Sequence, residues 1–152
     1  MLGLLNKLIN PMMMFVLQSR FHSLFSKDLM LLTFTGRKSG LRFTTPVMYV
    51  RNGDRVIVAV AEHESKMWWR NYRKPGGVAM LIAGERLTGR AEAVTDADPQ
   101  RLDLLFRQIS LTHNKLARFA GYQPGAPEGC VAVEIMCDYS PMEAAVQRAR
   151  HY

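Results

Sequence analysis

The stretch LMLLTFTGRKSGLRFTTPVMYVRNGDRVIVAVA, residues 29–61, decides the fold, because it alternates short apolar runs with tight-turn sequences. Three segments are apolar or rich in β-branched and aromatic residues and predict strands. They are Leu29 to Phe34, Thr44 to Arg51 and Arg55 to Ala61. Asn52-Gly53 is the dipeptide most typical of a two-residue hairpin turn. Strands joined this closely pair antiparallel, since a parallel pair needs a long crossover connection.

The turn between the first two strands, TGRKSGLR at residues 35–42, has the chemistry of an anion-binding loop. Its two glycines allow φ > 0 and leave backbone N–H groups exposed. Arg37, Lys38 and Arg42 add charge-assisted donors for a phosphate or a carboxylate. Taken alone, the same sequence also suits a basic hairpin tip that faces solvent.

After residue 64 the sequence predicts a second hairpin, a last strand and three helices. The sequence SKMWWRNYR, residues 65–73, predicts a short helix with a serine N-cap, closed by Pro-Gly-Gly. A second hairpin turns at Gly84-Glu85, and Gly89 is typical of a β-bulge. The elements in order are strand Val78 to Ala83, strand Arg86 to Thr95, helix Pro99 to about Leu111 capped by Asp96 or Asp98, strand Val131 to Met136 and helix Pro141 to Arg150.

These elements predict a mostly β (α+β) fold, a six-stranded and largely antiparallel barrel with peripheral helices. A parallel α/β fold is disfavoured because tight turns join successive strands. The length of 152 residues suits one domain, and residues 1–152 contain no repeat or interdomain linker. Within this single domain, residues 1–26 are predicted as an N-terminal helical extension.

The N-terminal extension is apolar and raises the question of targeting. Its longest uncharged run, residues 8–19, is too short to span a bilayer, and no small-residue cleavage site follows it. Asn10 as N-cap and Pro11 at the first helical position predict a helix with an apolar face. We expect it to pack on the domain or on a second copy of the chain, with contact at a membrane surface as the alternative.

The formal net charge of +7 indicates an acidic partner, which composition alone leaves open between nucleic acid, anionic lipid and a polyanionic small molecule. Nucleic acid is disfavoured, because the sequence has no zinc-finger spacing, helix-turn-helix pattern or base-stacking strand. A peripheral contact with the inner face of the membrane therefore stays open beside a small-molecule ligand.

Cysteine and histidine usage indicates a reduced interior and predicts no metal site. Cys130 and Cys137 are seven residues apart in a strand-like segment, so they point to opposite faces and do not form a disulfide. This pattern is typical of a cytoplasmic protein. The four histidines have no metal-ligand spacing with cysteine or carboxylate, and His63 between Glu62 and Glu64 lies in a predicted loop.

Three segments, in the order in which they occur, resemble the deazaflavin-dependent nitroreductase family. They are the basic turn, the Thr44-Thr45-Pro46 sequence that follows it, and the KMWWRNY segment at residues 66–72. That family has the split β-barrel of the FMN-binding type, related to pyridoxamine phosphate oxidase. The resemblance covers roughly residues 31–94. It implies a binding site for reduced coenzyme F-420, a deazaflavin with a phosphate and an oligoglutamate tail.

The resemblance assigns cofactor contacts to three segments. The turn would hold the phosphate and acidic tail, the strand after it would contact the polar edge of the deazaflavin, and the tryptophan-bearing helix would line the pocket. In many family members the lysine stands further from the first tryptophan than Lys66 does here. The candidate cofactor-binding residues are Arg37, Lys38, Ser39, Gly40, Arg42, Thr44, Thr45, Pro46, Lys66, Trp68, Trp69 and Asn71.

The implied function is hydride transfer from reduced coenzyme F-420 to a hydrophobic acceptor such as a quinone, a nitroaromatic or an unsaturated lipid. The cofactor carries the hydride chemistry, so the protein has to position it and exclude water. If a side chain donates a proton, the candidates are Tyr49, Tyr72 and Tyr139. The family barrel often dimerises, which makes a homodimer an expectation.

Two alternative functions remain on the sequence alone. The barrel could bind a fatty acid or a flavin without catalysis, attached to a membrane through its first helix. It could instead bind FMN, as relatives of pyridoxamine phosphate oxidase do, because a phosphate cradle suits both cofactors.

Overall fold

The computed structural model of the protein describes residues 29–138 and 149–150. The predicted N-terminal extension, residues 1–26, lies outside the described residues. The predicted closing helix overlaps them only at Ala149 and Arg150, which are helical.

Seven strands form one antiparallel sheet within residues 29–138. A short 3-10 helix lies between the fourth and fifth strands, and a long α-helix lies between the sixth and seventh. The elements are β1 Leu29–Thr35, β2 Arg42–Met48, β3 Val50–Asn52, β4 Arg55–Ala59, the 3-10 helix Trp68–Tyr72, β5 Gly76–Ile82, β6 Glu85–Val94, α1 Pro99–Phe119 and β7 Ala132–Cys137. The predicted mostly β fold with antiparallel pairing is confirmed.

The strand order shows that the sheet is curled. The order is β2-β1-β5-β6-β7-β4-β3, so β2 and β3 are its two edges. Only the buried Tyr49 separates them along the chain, so the end of one edge strand is next to the start of the other. One strand was predicted from Thr44 to Arg51, and this was wrong, because the chain turns at Tyr49 and leaves β1 to pair with β4. This split accounts for seven strands where six were predicted.

Two apolar clusters lie on opposite faces of the curled sheet. In β4, Val56 and Val58 belong to the cluster inside the curl, together with Trp69 of the 3-10 helix. The intervening Ile57 and Ala59 belong to the cluster beneath α1. Successive side chains of a strand point to opposite faces, so a strand covered on both sides reads as a continuous apolar run. This explains the uninterrupted apolar sequence of β4.

Helix α1 begins as predicted and extends beyond its predicted end. Asp98 is the N-cap, and its side chain accepts a hydrogen bond of 3.4 Å from the backbone N–H of Arg101. The predicted end at about Leu111 was too early, because the helix resumes after a non-helical residue, His113, and ends at Phe119. The imidazole Nδ1 of His113 accepts from the backbone N–H of Leu116 at 3.4 Å, which caps the second segment. Within the described residues, no helix has both the length and the apolarity that crossing a bilayer requires.

The two tight hairpins differ slightly from prediction. The first turn is present, but Asn52 pairs with Arg55, so its two central residues are Gly53 and Asp54, one residue later than predicted. The second turn is centred on Ala83 and Gly84, both with positive φ, one residue earlier than predicted. The predicted bulge at Gly89 was wrong, because its register with both neighbouring strands is continuous.

Candidate functional site

A cleft of about 310 Å³ lies where the basic turn meets the 3-10 helix. The end of β1 and the start of β2 form one side of it, and the 3-10 helix forms the other. Its lining residues are Phe34, Gly36, Arg37, Lys38, Ser39, Phe43, Met67, Trp68 and Asn71. The cleft therefore collects residues from two segments that are about thirty positions apart in the sequence.

The basic turn is held by its own backbone. The Gly36 N–H donates to the Leu41 carbonyl at 2.8 Å, and the Gly40 N–H donates to the Gly36 carbonyl at 2.9 Å. Ser39 Oγ accepts from the Leu41 N–H at 3.2 Å. Gly40 has φ +69°, which side chains other than glycine rarely adopt. These bonds close the loop, so that Arg37, Lys38 and Ser39 line the cleft from a fixed backbone.

Asn71 joins the turn to the 3-10 helix. Its Oδ1 accepts a hydrogen bond of 2.8 Å from the backbone N–H of Arg37. Its Nδ2 donates to the Trp68 carbonyl at 2.8 Å. The side-chain amide thus uses its acceptor on one wall of the cleft and a donor on the other, and it sets the distance between them.

Aromatic rings form the apolar side of the cleft. The rings of Phe34 and Phe43 are stacked, with centroids 5.7 Å apart and planes at 29°. Phe34 also meets Trp68 at 6.3 Å. Phe34 is buried, whereas Phe43 is 45% exposed and Met67 is 56% exposed, so the rim of the cleft is apolar and open to solvent. Such a surface suits a flat, hydrophobic ring system.

The cleft is electropositive. Arg37 and Lys38 are exposed, and neither forms an ion pair with a carboxylate among the described residues. The ion pairs of the described residues involve Arg55, Arg101 and Arg107. No Asp or Glu occurs in residues 29–51. An anion entering the cleft would therefore meet cations that no described acidic side chain neutralises.

The structure brings together five of the predicted cofactor-binding residues and places seven outside the lining of the cleft. Arg37, Lys38, Ser39, Trp68 and Asn71 line it. Gly40 belongs to the turn, and Lys66 is exposed in the loop before the 3-10 helix. The others outside the lining are Arg42, Thr44, Thr45 and Pro46 on β2, and Trp69.

Thr44 and Trp69 have clear structural contacts. The hydroxyl of Thr44 lies 2.9 Å from that of Thr33 across the β1–β2 pair. Trp69 is buried in the inner cluster, and its Nε1–H donates to the His63 carbonyl at 2.8 Å. His63 in turn places Nε2 2.7 Å from the Gly129 carbonyl, so this ring tethers the loop before the 3-10 helix.

Sequence reasoning missed Phe34, Phe43 and Met67 as lining residues, and it expected Gly36 as a glycine of the anion-binding turn. A signal existed for the two phenylalanines, because they flank the turn and are directly opposite each other in the β1–β2 pair. Gly36 is also constrained, since a Cβ there would lie 2.8 Å from Ser39 Oγ and 2.9 Å from the Phe43 ring. The close packing of the turn on Phe43 thus depends on this glycine.

Two of the three candidate proton donors, Tyr72 and Tyr49, are not among the residues that line the cleft. The hydroxyl of Tyr72 donates to the Gly77 carbonyl at 3.0 Å, and burial raises its pKa to about 12. Tyr49 is buried in the same inner cluster. Tyr139 lies outside the described residues.

No metal cluster occurs in the described part of the chain. Among residues 29–138 and 149–150, no group of three or more His, Cys, Asp or Glu side chains is placed to hold a metal ion.

The sequence matches the family model described as F420H(2)-dependent quinone reductase over residues 16–128. The chain belongs to this family. Members are oxidoreductases that use reduced coenzyme F-420, and the protein is therefore an F-420-dependent reductase. The cofactor expected from the sequence is confirmed, and it is favoured over FMN. A purely non-catalytic barrel is not favoured.

Solved structures similar to this F420H(2)-dependent quinone reductase family member confirm the split-barrel fold. One is an F420-H2-dependent reductase, with TM-score 0.52 and 15% identity, covering 72% of this chain and 94% of the other. Another is a domain-swapped dimer, with TM-score 0.55 and 13% identity, covering 85% of this chain and 97% of the other. A third is a protein of the pyridoxinephosphate oxidase family from Clostridium acetobutylicum, with TM-score 0.54 and 11% identity, covering 84% of this chain and 86% of the other.

Proposed function

We propose that the protein transfers a hydride from reduced coenzyme F-420 to a quinone, and that the cleft between the basic turn and the 3-10 helix is the site. The observation that carries this proposal is the juxtaposition of Arg37 and Lys38 with the ring pair Phe34 and Phe43. A phosphorylated, acidic cofactor with an aromatic ring system needs both kinds of surface.

The donors of the cleft fit this cofactor. Arg37, Lys38 and the Ser39 hydroxyl would hold its phosphate, and each charge-assisted hydrogen bond contributes about 1.5–3 kcal/mol net of the exchange with water. Trp68 and Phe34 would pack against the deazaflavin. The roles of Gly40, Arg42, Thr44, Thr45, Pro46, Lys66 and Trp69 stay predictions.

The cofactor supplies the hydride when it is bound, and one further proton converts the reduced quinone to the neutral quinol. The protein positions both rings and limits water in the cleft. Tyr72 is a poor proton source, because its hydroxyl is buried, bonded to the Gly77 carbonyl and raised in pKa. Water at the exposed rim near Met67 can supply the proton instead. Tyr49 and Tyr139 stay candidates.

The acceptor is proposed to enter over the exposed rim of the cleft. Leu41, Phe43 and Met67 are large apolar side chains that are 62%, 45% and 56% exposed. They offer a hydrophobic approach beside the cationic turn, as a flat apolar acceptor requires. The family description favours a quinone, and nitroaromatics and unsaturated lipids are further acceptors to test.

Anaerobic oxidation of reduced coenzyme F-420 by menadione tests this function, with the absorbance and fluorescence of the deazaflavin as readouts. We expect turnover by the wild-type protein. The double variant Arg37→Ala/Lys38→Ala should raise KM for the cofactor at least tenfold and change kcat much less, because the turn binds groups distant from the reacting carbon. Absence of both binding and turnover at micromolar protein would overturn the proposal.

A matched control distinguishes the loss of charge at the turn from the loss of charge elsewhere on the protein. Lys115→Ala/Arg118→Ala removes the same charge from exposed residues of α1, whose buried face packs in the other apolar cluster. This variant should behave as wild type. If it weakens binding equally, the effect reflects net charge, and the turn is not the phosphate site.

Two partner predictions need separate measurements. A homodimer is proposed by analogy with the similar structure that is a domain-swapped dimer, and light scattering of the full chain tests it. Membrane contact through the N-terminal extension stays a prediction, and vesicle co-sedimentation of the full chain against a chain lacking residues 1–26 tests it.

A further inference from the structure

The face of β1, β2 and β5 that points away from the inner cluster carries an apolar surface. Met30 and Leu32 belong to the inner cluster, so Leu31 between them points outward. Leu31 is directly opposite Pro46 of β2 and Leu81 of β5. With their outward-pointing apolar neighbours they form the outer patch, which consists of Leu29, Leu31, Pro46, Met48, Ala79 and Leu81.

The outer patch has the character of a buried surface. It contains no charged side chain, and the nearby hydroxyls of Thr33 and Thr44 bond each other at 2.9 Å. Leu31 is 2% exposed, although neither apolar cluster of the described residues contains it. The cluster beneath α1 includes no described residue of β1, β2 or β5. Because the apolar face of a sheet is stable when another element packs on it, the patch needs an element other than α1 to cover it.

The chain that lies outside the described residues adjoins this patch. Residues 1–28 lead directly into Leu29, which is itself a patch residue. Within them, the sequence of residues 11–25 predicts a helix with an apolar stripe at positions i, i+3, i+7 and i+10. The stripe consists of Met14, Leu17, Phe21 and Leu24.

The dimensions of this segment match those of the patch. A helix of residues 11–25 would be about 22 Å long, and a strand of the length of β1 spans about 23 Å. Residues 26–28 would connect the two, and a connection of this length is common between a helix and a strand. The C-terminal residues 139–148 start from a different place, because the backbone N–H of Asp138 donates to the Thr88 carbonyl of β6 at 3.0 Å.

We infer that residues 11–25 form a helix that packs its apolar stripe on the outer patch of the same chain. The N-terminal extension is then part of the packed domain and not a free membrane anchor. The inference is independent of the proposed cofactor site, because Phe34 and Phe43 in the cleft lie on the opposite face of β1 and β2 from the patch.

Limited trypsin digestion of the full chain, followed by mass spectrometry, tests the inference. Arg20 lies within the proposed helix, whereas Lys7 precedes it and serves as an internal reference. We expect cleavage after Arg20 to be at least about tenfold slower than after Lys7 in the wild-type protein, because a packed helix must open before it is cut. In Met48→Glu/Leu81→Glu, which places charges on the patch, cleavage after Arg20 should become at least about tenfold faster.

A second variant and a control keep the test independent of misfolding. Leu17→Glu/Phe21→Glu alters the proposed stripe and no residue of the sheet, and it should expose Arg20 to the same extent while the tryptophan fluorescence stays that of the wild type. Leu104→Glu/Leu111→Glu adds the same charge to α1, where these leucines are 62% and 89% exposed. This control should digest as wild type.

Four outcomes would overturn the inference. Cleavage after Arg20 as fast as after Lys7 in the wild type would show an unpacked segment, and protection that persists in both variants would show that it packs elsewhere. Protection that falls on dilution together with the mass measured by light scattering would assign the patch to a second copy of the chain. Protection that requires phosphatidylglycerol vesicles would assign the segment to a membrane surface. If the patch variant instead speeds cleavage after Arg148 alone, the C-terminal segment covers the patch.

Discussion

The side-chain amide of Asn71 accepts the backbone N–H of Arg37 at 2.8 Å and thereby fixes the basic turn against the 3-10 helix. The two residues are 34 positions apart. The same amide donates to the Trp68 carbonyl, so its orientation is set from both sides. One neutral residue thus connects the cationic wall of the cleft with its aromatic wall.

Replacing Asn71 with alanine should weaken cofactor binding about five- to tenfold, because the loss of a hydrogen bond worth about 1 kcal/mol frees the turn to move. Fluorescence titration with coenzyme F-420 measures the change in Kd. Asn114→Ala, at an exposed position of α1, is the matched control and should bind as wild type. Unchanged affinity in Asn71→Ala would show that the turn is rigid without this bond.

Much of this site could be predicted from sequence, and the remainder follows from strand pairing. The turn and Trp68 stand out because their composition is unusual: paired cations between glycines, and adjacent tryptophans. Phe34 and Phe43 do not stand out, since each is an ordinary strand residue until the β1–β2 register places them opposite each other. Trp69 stands out in the sequence but does not line the cleft. Adjacent residues of the helix face different sides, so Trp68 lines the cleft and Trp69 is buried in the cluster inside the curl.

The sequence predicted those features of the fold that depend on neighbouring residues in the chain. Hairpin turns fixed the antiparallel pairing of β3 with β4 and of β5 with β6. The corner at Tyr49 was missed, because no glycine or proline marks it and residues 44–51 read as one strand. It is the closure of the sheet, a non-local feature, that separates β2 from β3 and buries Tyr49.

Tyr72→Phe should keep kcat with menadione within about twofold of wild type. Its hydroxyl is bonded to the Gly77 carbonyl, and with a pKa of about 12 it stays protonated across the working pH range. The expected cost is structural, about 1 kcal/mol of unfolding free energy for the lost hydrogen bond, measured by urea denaturation. A fall in kcat of tenfold or more at unchanged stability would instead identify Tyr72 as the proton donor.

Gly89→Ala should destabilise the barrel by about 1–3 kcal/mol, because an added methyl group has no room between β6 and β7. A Cβ there would lie 2.6 Å from the Met136 carbonyl oxygen and 3.0 Å from the Ile135 side chain. Gly77→Ala on β5 is the matched control, since nothing lies within 4 Å of its Cβ position. Urea unfolding should separate the two variants, and equal stabilities would mean that the strands can shift apart at little cost.

Arg101 should be more important for stability than a typical surface arginine, because it lies against a pair of like charges. Glu92 and Glu134 are directly opposite each other on β6 and β7. Arg101 of α1 contacts Glu92 at 3.1 Å and Glu134 at 2.8 Å, and Arg55 contacts Glu134 at 3.2 Å. Since the group is partly exposed, we expect Arg101→Met to cost about 1–2 kcal/mol of unfolding free energy. Arg118→Met, exposed on the same helix, should have no measurable effect.

The same contacts predict a loss of stability in acid. The hydrogen bond from Arg101 holds the pKa of Glu92 below its ordinary value of 4.5. The hydrogen bond from Tyr122, followed by the one from Arg107, holds the pKa of Asp103 below its ordinary value of 3.8.

A carboxyl group whose pKa is lower in the folded state stabilises the protein above its ordinary pKa, and this contribution is lost as pH falls through the folded-state pKa. Unfolding free energy should therefore be level from pH 7 to about 5 and fall steadily below about pH 4.5. In Arg101→Met the fall should be shallower, because the pKa of Glu92 returns toward its ordinary value. Urea denaturation at a series of pH values measures both slopes. Parallel curves for the two proteins would show that Arg101 does not couple to the protonation of Glu92, and that the acid sensitivity originates at Asp103 or elsewhere.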